Sequence, residues 1–503
     1  MATRDANRGL NRTKSVEQSI HDTEAPEHRL KKNLGALDLV VFGVGVIIGA
    51  GIFVLTGQVA ASNAGPAVAL SFLFAGIACA LAALCYAEFA STVPVAGSAY
   101  TFSYATFGEF IAFVIGWDLV LEFTIGSAAL SVGFSGYLNT LLDGTPFELP
   151  LSLQSVSTVD NPDGVFNLSG FVIALVVMGI LIAGIKLSSI VNQIVVAIKL
   201  AVVAIVIVGG IGYISADNYD PFIPPSAGAT GASGSWLHVP LVETLLGIEP
   251  QVYGVAGIFS GAAIVFFAFI GFDVVATTAE EARNPQRDVP IGIIGSLAIV
   301  TVLYMAVSLV ITGMQDFRTM SPDDAAPLAT AFDDQGVHWM GDLISVGACI
   351  GLTVVVMILM LGQTRVAFAM ARDGLLPQPV AKVHPRFGTP YVITLIAGSV
   401  IAIIAGFVDL STLSELVNIG TLFAFVLVSV GVVLLRRRRP DLERSFRVPA
   451  APVVAALAVL MCVYLMLNLP GETWVRFLIW MAIGLVVYFA YGRSHSRLNF
   501  RTD

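Results

Sequence analysis

The sequence predicts an all-α integral membrane protein with about twelve transmembrane helices, two of which are broken near their centres. Three observations lead to this fold class. Hydrophobic residues make up 56% of the 503 residues and charged residues only 12%, about half the charged fraction of an average soluble protein. Apolar segments long enough to cross a bilayer recur along the whole chain. Two of these segments carry glycines near the middle, where glycine disfavours a continuous helix.

Polar or Pro/Gly-rich connections separate the apolar segments, each of which is called a span below. The predicted spans, from first to twelfth, are 37–57, 66–92, 99–138, 167–185, 189–214, 253–279, 290–314, 340–369, 390–408, 412–435, 450–469 and 473–492. The third is long enough to include an amphipathic entry helix. The predicted divisions are a cytoplasmic tail (1–33), a first five-helix repeat (34–214), an extracellular loop (215–252), a second five-helix repeat (253–435), a basic cytoplasmic loop (436–449), helices 11 and 12 (450–492) and a cytoplasmic tail (493–503).

Positive charges predict the orientation of these spans. With the N-terminus inside, 23 of the 26 Lys and Arg residues lie in the tails and inner connections, Arg318 and Arg476 lie outside, and Lys199 lies within a span. The positive-inside rule therefore predicts a multi-pass protein of the cell membrane with both termini in the cytoplasm, which requires an even number of spans. The outer loops are acidic, which fits either a high-salt habitat or ordinary bacterial composition.

The first span holds the sequence GVGVIIGAGIFVLTG from Gly43 to Gly57. Its centre, Gly49-Ala50-Gly51, is poor helix material at mid-membrane. Backbone that unwinds in a membrane must face protein or a wet cavity, so this stretch predicts a binding site at the bilayer centre. The alternative is a glycine seam that allows close helix packing.

The sixth span reads GIFSGAAIVFFAFIGFDVVATTAEEARNP from Gly257 to Pro285. Gly271 interrupts it, and Asp273 follows at a depth where a bare carboxylate must face protein, water or a partner. Two glycine breaks five spans apart indicate an inverted five-helix repeat with the substrate between discontinuous helices. Half-helix N-termini suit a substrate carboxylate, and unwound carbonyls suit an ammonium. The Phe side chains before Gly271 could close over a ligand or serve packing alone.

Two further charges lie deep in spans. Lys199 sits about eleven residues into the fifth span, where burial of an ammonium favours proton exchange. We expect it to couple protons or to replace a bound cation; the alternatives are permanent pairing with a carboxylate and capping of the carbonyls of the unwound first span. Glu122 in the third span could line the cavity and meet a cationic side chain or a proton, or could serve structure only.

Several other classes of site are not expected. The four cysteines fall inside apolar runs and the six histidines lie in tails and loops, so we expect no disulfide framework, no metal and no cofactor. A net charge of −9 does not suit a nucleic-acid binder.

Four stretches together resemble the amino acid–polyamine–organocation superfamily, and most closely its cationic amino acid transporter branch. They are GVGVIIGAGIFVLTG, YAEFASTVPVAGSAYTFSYATFGEFIAFVIGWDLVLEF, FFAFIGFDVVATTAEEARNPQRDVPIGI and GQTRVAFAMARDGLLP. The similarity covers the chain from about Leu34 to Tyr491. It implies a leucine-transporter-like fold of two inverted five-helix repeats plus two C-terminal helices.

The resemblance also implies functional residues by their positions in the motifs. In the first span, backbone groups of Ile47, Gly49, Ala50 and Gly51 would contact the α-carboxylate and the α-amine. In the sixth span, Phe267, Ala268 and Ile270 would complete the site, with Phe267 as a lid. Lys199 falls where an ammonium replaces the sodium ion of sodium-coupled relatives, which implies proton coupling.

Two departures from the family pattern bear on the substrate. Ala50 stands where many relatives have Ser or Thr, which removes one hydroxyl contact to the carboxylate. Leu352 in the eighth span falls where members that accept arginine carry a small polar residue. The bulky apolar Leu352 argues against a long cationic side chain and favours small or branched neutral amino acids.

We therefore predict a proton-coupled L-amino acid permease that works by alternating access in the lipid bilayer. The first alternative is a uniporter or exchanger of cationic amino acids or polyamines, which would need Glu122 or Asp273 exposed to the site. A membrane-embedded enzyme or sensor would need a nucleophile–base pair or metal ligands at one depth, and no histidine lies in a span core.

Overall fold

The structure is a computed structural model, which describes residues 34–92, 98–158, 161–184, 189–228, 236–249, 251–277, 282–442 and 444–497. The predicted N-terminal tail 1–33, the last residues 498–503 of the predicted C-terminal tail 493–503, and the sixth-span residues 278–281 lie outside the described residues. Within the described chain, eight helices are long and apolar enough to cross a membrane, and four shorter apolar helices complete the predicted set of about twelve.

Ten spans are formed by a single main helix each, and the first and sixth consist of separate pieces. The unbroken ones are Val68–Thr92, Glu109–Leu142, Leu168–Ile182, Ser189–Gly210, Pro285–Met314, His338–Arg372, Tyr391–Phe407, Leu410–Arg438, Ala451–Leu467 and Gly471–Val487. The first comprises Ala36–Ile47, Ala50–Phe53 and Leu55–Val59, and the sixth comprises Gly254–Val265, a 3-10 turn at Phe266–Phe269, and Phe272–Thr277.

Short elements connect the spans. The amphipathic entry to the third span is a separate helix, Ser98–Thr106, set off by Gly108 at φ +98°. Other short helices are Leu151–Gln154, Leu241–Leu246 and Pro327–Asp333, and a two-stranded antiparallel sheet pairs Ala227–Gly228 with Gln251–Val252. Single π-helical turns follow the first and twelfth spans at Ala60–Ala64 and Tyr488–Gly492.

The packing of the first ten spans follows a two-fold pattern. The second span packs against the seventh, the third against the eighth, and the fourth against the ninth. The contact between the first and seventh spans corresponds to the contact between the sixth and second spans. The third span also contacts the tenth, just as the eighth contacts the fifth. Two five-helix repeats related by a pseudo-two-fold axis produce such reciprocal pairs, and this agrees with the predicted fold class.

The last two spans pack on the outside of this ten-helix unit. The eleventh lies against the tenth and second spans, and the twelfth against the tenth and third. Trp117 of the third span and Trp480 of the twelfth stack with ring centroids 4.5 Å apart. Each indole N–H donates to the other residue's carbonyl, at 2.9 and 3.1 Å, which fixes the twelfth span to the third.

Candidate functional site

The first span is interrupted over two residues. Its inner half ends at Ile47, Ile48 and Gly49 adopt extended angles (ψ 98° and −152°), and the helix resumes at Ala50. Ala50 and Gly51 therefore lie in the first turn of the outer half and not in the unwound stretch itself. The ends of the two halves leave carbonyls and amides without intrahelical partners, and these polar groups lie in the buried centre of the bundle.

The break in the sixth span lies directly after the phenylalanines. The helix tightens into a 3-10 turn at Phe266–Phe269, Ile270 is extended, and Gly271 has φ +113° before the helix resumes at Phe272. Because L side chains rarely adopt this angle, glycine is the residue that suits the break.

The two breaks contact each other through their backbones. A Cβ atom at Gly51 would collide with the backbone of Ala268, and one at Gly271 would lie 2.7 Å from Cγ1 of Val46. The absence of side chains at Gly51 and Gly271 therefore permits the close approach of the first and sixth spans.

A buried tyrosine of the seventh span joins the same two breaks. The Tyr304 hydroxyl lies 2.8 Å from the Ile47 carbonyl oxygen and 2.9 Å from the Ala268 carbonyl oxygen. Its single proton can be donated to either carbonyl, so one hydroxyl can form a hydrogen bond with either broken helix. The sequence reasoning did not single out Tyr304; a hydroxyl in the apolar run of the seventh span, which needs a partner when buried, was the available signal.

Lys199 of the fifth span reaches the break of the first. Its Nζ donates hydrogen bonds to the carbonyls of Gly45 (2.7 Å) and Ile48 (2.9 Å), and its side chain is 1% exposed. A positive charge is favourable at the C-terminal end of a half-helix because the helix dipole is negative there. This contact is the carbonyl-capping arrangement considered from the sequence. The lysine stem packs on Gly351, where a Cβ would lie 2.9 Å from Cε.

A small cavity lies between the two breaks. Its volume is about 20 Å³, close to the room that one water molecule needs. Six of the eight residues predicted to bind substrate line this cavity: Ile47, Gly49, Ala50, Gly51, Phe267 and Ile270. Four apolar residues that were not predicted complete the wall: Val46, Leu130, Val355 and Leu359. The predicted residues thus meet around one small space in the buried centre of the bundle.

Ala268 and Leu352, the other two predicted residues, do not line this cavity. Ala268 instead packs against Gly51. Leu352 is fully buried one turn before Val355, and its Cδ1 lies 3.9 Å from the position of a Cβ at Gly133 in the third span. The eighth span therefore faces the cavity with Val355 and Leu359, and Leu352 packs beside it.

The two predicted carboxylates, Glu122 and Asp273, lie away from the cavity wall. Both are buried, and they interact electrostatically with each other, while Asp118 one turn earlier interacts with Glu122. Glu122 precedes the cavity residue Leu130 by eight positions, which is about 12 Å along a helix. Among the described residues, both oxygens of Asp118 and one each of Glu122 and Asp273 have no hydrogen-bond partner. Carboxylates at this depth are functional candidates, but these three do not line the central cavity.

The described part of the chain has no group of three or more His, Cys, Asp or Glu side chains arranged to hold a metal ion. The site consists of backbone polar groups at two helix breaks, apolar side chains, one ammonium and one hydroxyl. Such a site can bind a small molecule reversibly and change shape by moving the half-helices; it lacks the activated groups of a catalytic centre.

A bundle of repeated spans whose two broken helices meet around a central cavity is the architecture of a secondary transporter. The sequence profile described as amino acid permease matches residues 34–489, and the chain belongs to this family. It is therefore a multi-pass membrane transporter and not an enzyme.

Similar proteins cover nearly the whole chain. The branched-chain amino acid permease BcaP of Bacillus subtilis is 46% identical over 97% of this chain and 98% of its own length. The methylthioribose transporter of the same organism is 45% identical over 93% of this chain and 95% of its own. The vacuolar cationic amino acid transporter 4 of Arabidopsis thaliana is 33% identical over 97% and 96% of the two chains. The family match and the similarity to BcaP identify this chain as an amino acid permease.

Proposed function

We propose that this permease carries small or branched neutral L-amino acids across the cell membrane together with protons, with both of its termini in the cytoplasm. The observation that supports the neutral substrate is the composition of the cavity wall, which is apolar apart from backbone groups. A cationic side chain would have no counter-charge there, and an unpaired buried charge is costly. The similarity to a branched-chain amino acid permease supports the same choice.

The broken helices supply the groups that an amino acid backbone needs. The amides in the first turn at Ala50 and Gly51 lack intrahelical partners and suit the α-carboxylate. The last carbonyls of the 3-10 turn at Phe266–Phe269 suit the α-ammonium. Leu130, Val355 and Leu359 would pack against an aliphatic side chain, and Phe267 would cover the ligand.

Lys199 is the proposed coupling residue. Its ammonium holds the carbonyls of Gly45 and Ile48 at the end of the inner half-helix. Loss of its proton would remove the charge and one donor from this junction, and so would change how firmly the two halves of the first span are held. Protonation is thereby linked to the shape of the site.

Two other substrates are the main alternatives. A uniporter or exchanger of cationic amino acids or polyamines is supported by similarity to a cationic amino acid transporter. Methylthioribose is supported by a relative of nearly the same identity as the branched-chain permease. Methylthioribose has neither an ammonium nor a carboxylate, so it would leave the helix-end groups unpaired.

The test is uptake into proteoliposomes of labelled leucine, isoleucine, valine, arginine, lysine and methylthioribose under an inward proton gradient. For one proton per substrate, one pH unit corresponds to 1.36 kcal/mol and supports about tenfold accumulation. We expect wild type to accumulate the neutral branched amino acids. The Lys199→Ala variant should lose accumulation while still exchanging labelled for unlabelled leucine, which also shows that it is folded.

The exposed Lys382→Ala variant is the matched control and should behave as wild type. Voltage-driven uptake of arginine or lysine, unchanged in Lys199→Ala, would disprove both proton coupling and the neutral preference. Uptake of methylthioribose alone would disprove the amino acid specificity of this chain.

A further inference from the structure

A buried asparagine of the tenth span contacts the break of the sixth. Asn418 is fully buried, and its amide nitrogen donates hydrogen bonds to the carbonyls of Ala263 (2.8 Å) and Ile264 (3.0 Å). These carbonyls belong to the last turn of Gly254–Val265, directly before the 3-10 turn at Phe266–Phe269. Because carbonyl oxygens only accept, the two contacts fix the orientation of the amide and use both of its N–H groups.

The same arrangement occurs at the first span, with a different side chain. Lys199 of the fifth span donates to the carbonyls of Gly45 and Ile48, at the end of the first half of the first span. The pseudo-two-fold relation of the repeats makes the tenth span the counterpart of the fifth, and the sixth the counterpart of the first. The tenth span contacts the sixth just as the fifth contacts the first. Asn418 is therefore to the second broken span what Lys199 is to the first.

A second residue of the tenth span supports the same break. Phe425 lies two helical turns after Asn418, which places both side chains on one face of the helix. Its ring contacts Phe266 edge-on, with centroids 5.7 Å apart, and Phe272, with centroids 5.0 Å apart. Phe266 precedes the break at Gly271 and Phe272 follows it, so the tenth span contacts both halves of the sixth.

The two junctions differ in their chemistry. An ammonium can lose a proton and with it a charge, whereas the side-chain amide of an asparagine is neutral and keeps both of its N–H donors. The contact of Lys199 with the first span can therefore respond to protons, and the contact of Asn418 with the sixth span cannot. The sixth-span junction stays constant while the first-span junction can change.

We infer that Asn418 is a positioning residue of the substrate site: it holds the turn Phe266–Phe269 in the geometry that receives the amino acid, whether or not Lys199 carries a proton. Phe267 of this turn lines the central cavity, and the last carbonyls of the turn are the proposed partners of the α-ammonium. Buried carbonyls that lose a donor must find another partner, which would move the turn. The inference deepens the proposed function and rests on it, because the transported amino acid is the ligand that the turn receives.

The first test is uptake of leucine into proteoliposomes by Asn418→Leu and Asn418→Ala. Leucine keeps the branched shape of asparagine without a donor, and alanine removes the donors without adding volume. The two variants therefore share the loss of both hydrogen bonds. We expect the KM for leucine to rise about tenfold or more in both variants and kcat to stay within about twofold of wild type, because the lost interaction positions the site for binding.

The second readout separates positioning from coupling. The accumulation ratio reached at steady state under an inward proton gradient depends on the number of protons per substrate and not on the KM. Asn418→Leu should therefore reach the wild-type ratio for leucine, about tenfold per pH unit for one proton, whereas Lys199→Ala should lose it. A protein that is only destabilised would contain less active transporter but would keep the wild-type KM.

The third readout needs no transport. Backbone amides exchange their hydrogens through local opening, so the exchange rate reports how firmly a segment is held. In hydrogen–deuterium exchange of the detergent-solubilised protein, we expect the segment 263–270 to exchange about tenfold faster in Asn418→Leu than in wild type. The segment 45–51 of the first span should exchange as in wild type.

Asn468→Leu is the matched control. Asn468 is also a buried asparagine, with 7% of its surface exposed, and its amide nitrogen donates to the Tyr464 carbonyl (2.8 Å) at the end of the eleventh span. It therefore caps the end of its own helix and not that of a broken span. We expect a lower apparent melting temperature, a wild-type KM and wild-type exchange of the segment 263–270.

A wild-type KM in both Asn418 variants, or an equal rise in Asn468→Leu, would overturn the inference and identify Asn418 as a structural cap only. Loss of accumulation in Asn418→Leu would also overturn it, because the sixth-span junction would then take part in coupling. If Asn418→Leu does not fold, Asn418→Ala decides the same three readouts. A wild type that takes up no amino acid would contradict the proposed function, and unchanged exchange of the segment 263–270 would then overturn the role of Asn418 independently.

Discussion

At the scale of single residues, two polar side chains make the broken first span tolerable in the membrane interior. Lys199 donates to the carbonyls of Gly45 and Ile48, and Tyr304 serves the carbonyl of Ile47 between them. Unpaired backbone groups are costly at this depth. The end of the inner half-helix is thus held from the fifth and the seventh spans together.

Tyr304→Phe is expected to destabilise the site. Removal of the hydroxyl leaves the Ile47 and Ala268 carbonyls without this donor, and an unsatisfied buried polar group costs about 1–3 kcal/mol. The apparent melting temperature should fall and the KM for leucine should rise, as measured by thermal unfolding in detergent and by uptake.

Tyr86→Phe is the matched control for this substitution. The Tyr86 hydroxyl is also buried, but it has no hydrogen-bond partner among the described residues. Its removal should leave stability unchanged or slightly higher. Equal effects of the two substitutions would contradict the role given to Tyr304.

The sequence predicted some of these residues better than others. Lys199 and the glycines were evident because a charge or a glycine in mid-span breaks a strong local rule. Tyr304 was not, since a tyrosine in an apolar run also fits ordinary packing. Leu352 was implied by its position in the family pattern, and Val355 and Leu359 were not predicted, because the rotation of the eighth span about its axis is set by its neighbours and not by its own uniformly apolar sequence.

At the scale of helical elements, the contact between the two broken spans depends on backbone meeting backbone. Gly51 lies directly on Ala268, and the positive φ of Gly271 turns the sixth span next to Val46. We therefore expect an added side chain at either glycine to obstruct any rearrangement of the half-helices.

Gly51→Ala should therefore abolish uptake. The added methyl group would overlap the Ala268 backbone, which cannot yield as a flexible side chain would. We expect leucine uptake to fall at least about tenfold, because a displacement of about 1 Å in a positioned site can cost about a hundredfold in rate.

Gly179→Ala in the fourth span tests whether any added methyl group has this effect. A Cβ at Gly179 meets no atom within 4 Å, and alanine is favoured over glycine in a helix by about 1 kcal/mol. This variant should transport normally and be at least as stable as wild type. Normal transport by Gly51→Ala would show that the two breaks do not need their close contact.

The sequence predicted the number and places of the spans because their apolar length is a strong signal. Their ends were less certain. The seventh span begins at Pro285, five residues before the predicted start, because proline is tolerated at the first helical position. The third was predicted as one segment with an entry region, and the positive φ at Gly108 divides it into two helices.

At the scale of the whole molecule, a buried ionic network closes the face that carries the termini. Arg436 at the end of the tenth span donates through Nε to Glu88 of the second span (2.7 Å), and the Val448 amide donates to the same carboxylate (2.7 Å). Arg444 lies 3.6 Å from it. Glu88 is 3% exposed, so the second span, the tenth span and the following loop are tied together at one group.

Glu88→Gln should weaken this face. Removing one charge of a buried ion pair costs about 3–5 kcal/mol because the partner is left uncompensated. We expect a lower apparent melting temperature and faster proteolysis of the loop after Arg439.

Glu472→Gln provides the comparison, because Glu472 forms an ion pair with Arg476 in which both side chains are about one-third exposed. Such surface pairs contribute about 0–1 kcal/mol. Similar losses of stability in the two variants would show that Glu88 has no special part in closing this face.

The stacked indoles of Trp117 and Trp480 give the molecule an optical signature. Two chromophores at 4.5 Å and a fixed angle of 17° couple their electronic transitions, so their absorption and emission differ from those of isolated tryptophans. Only five tryptophans occur in the chain, so we expect separation of this pair to change the near-ultraviolet circular dichroism. A change in this spectrum on addition of substrate would indicate that the twelfth span separates from the third during transport, and an unchanged spectrum would indicate that the two spans stay together.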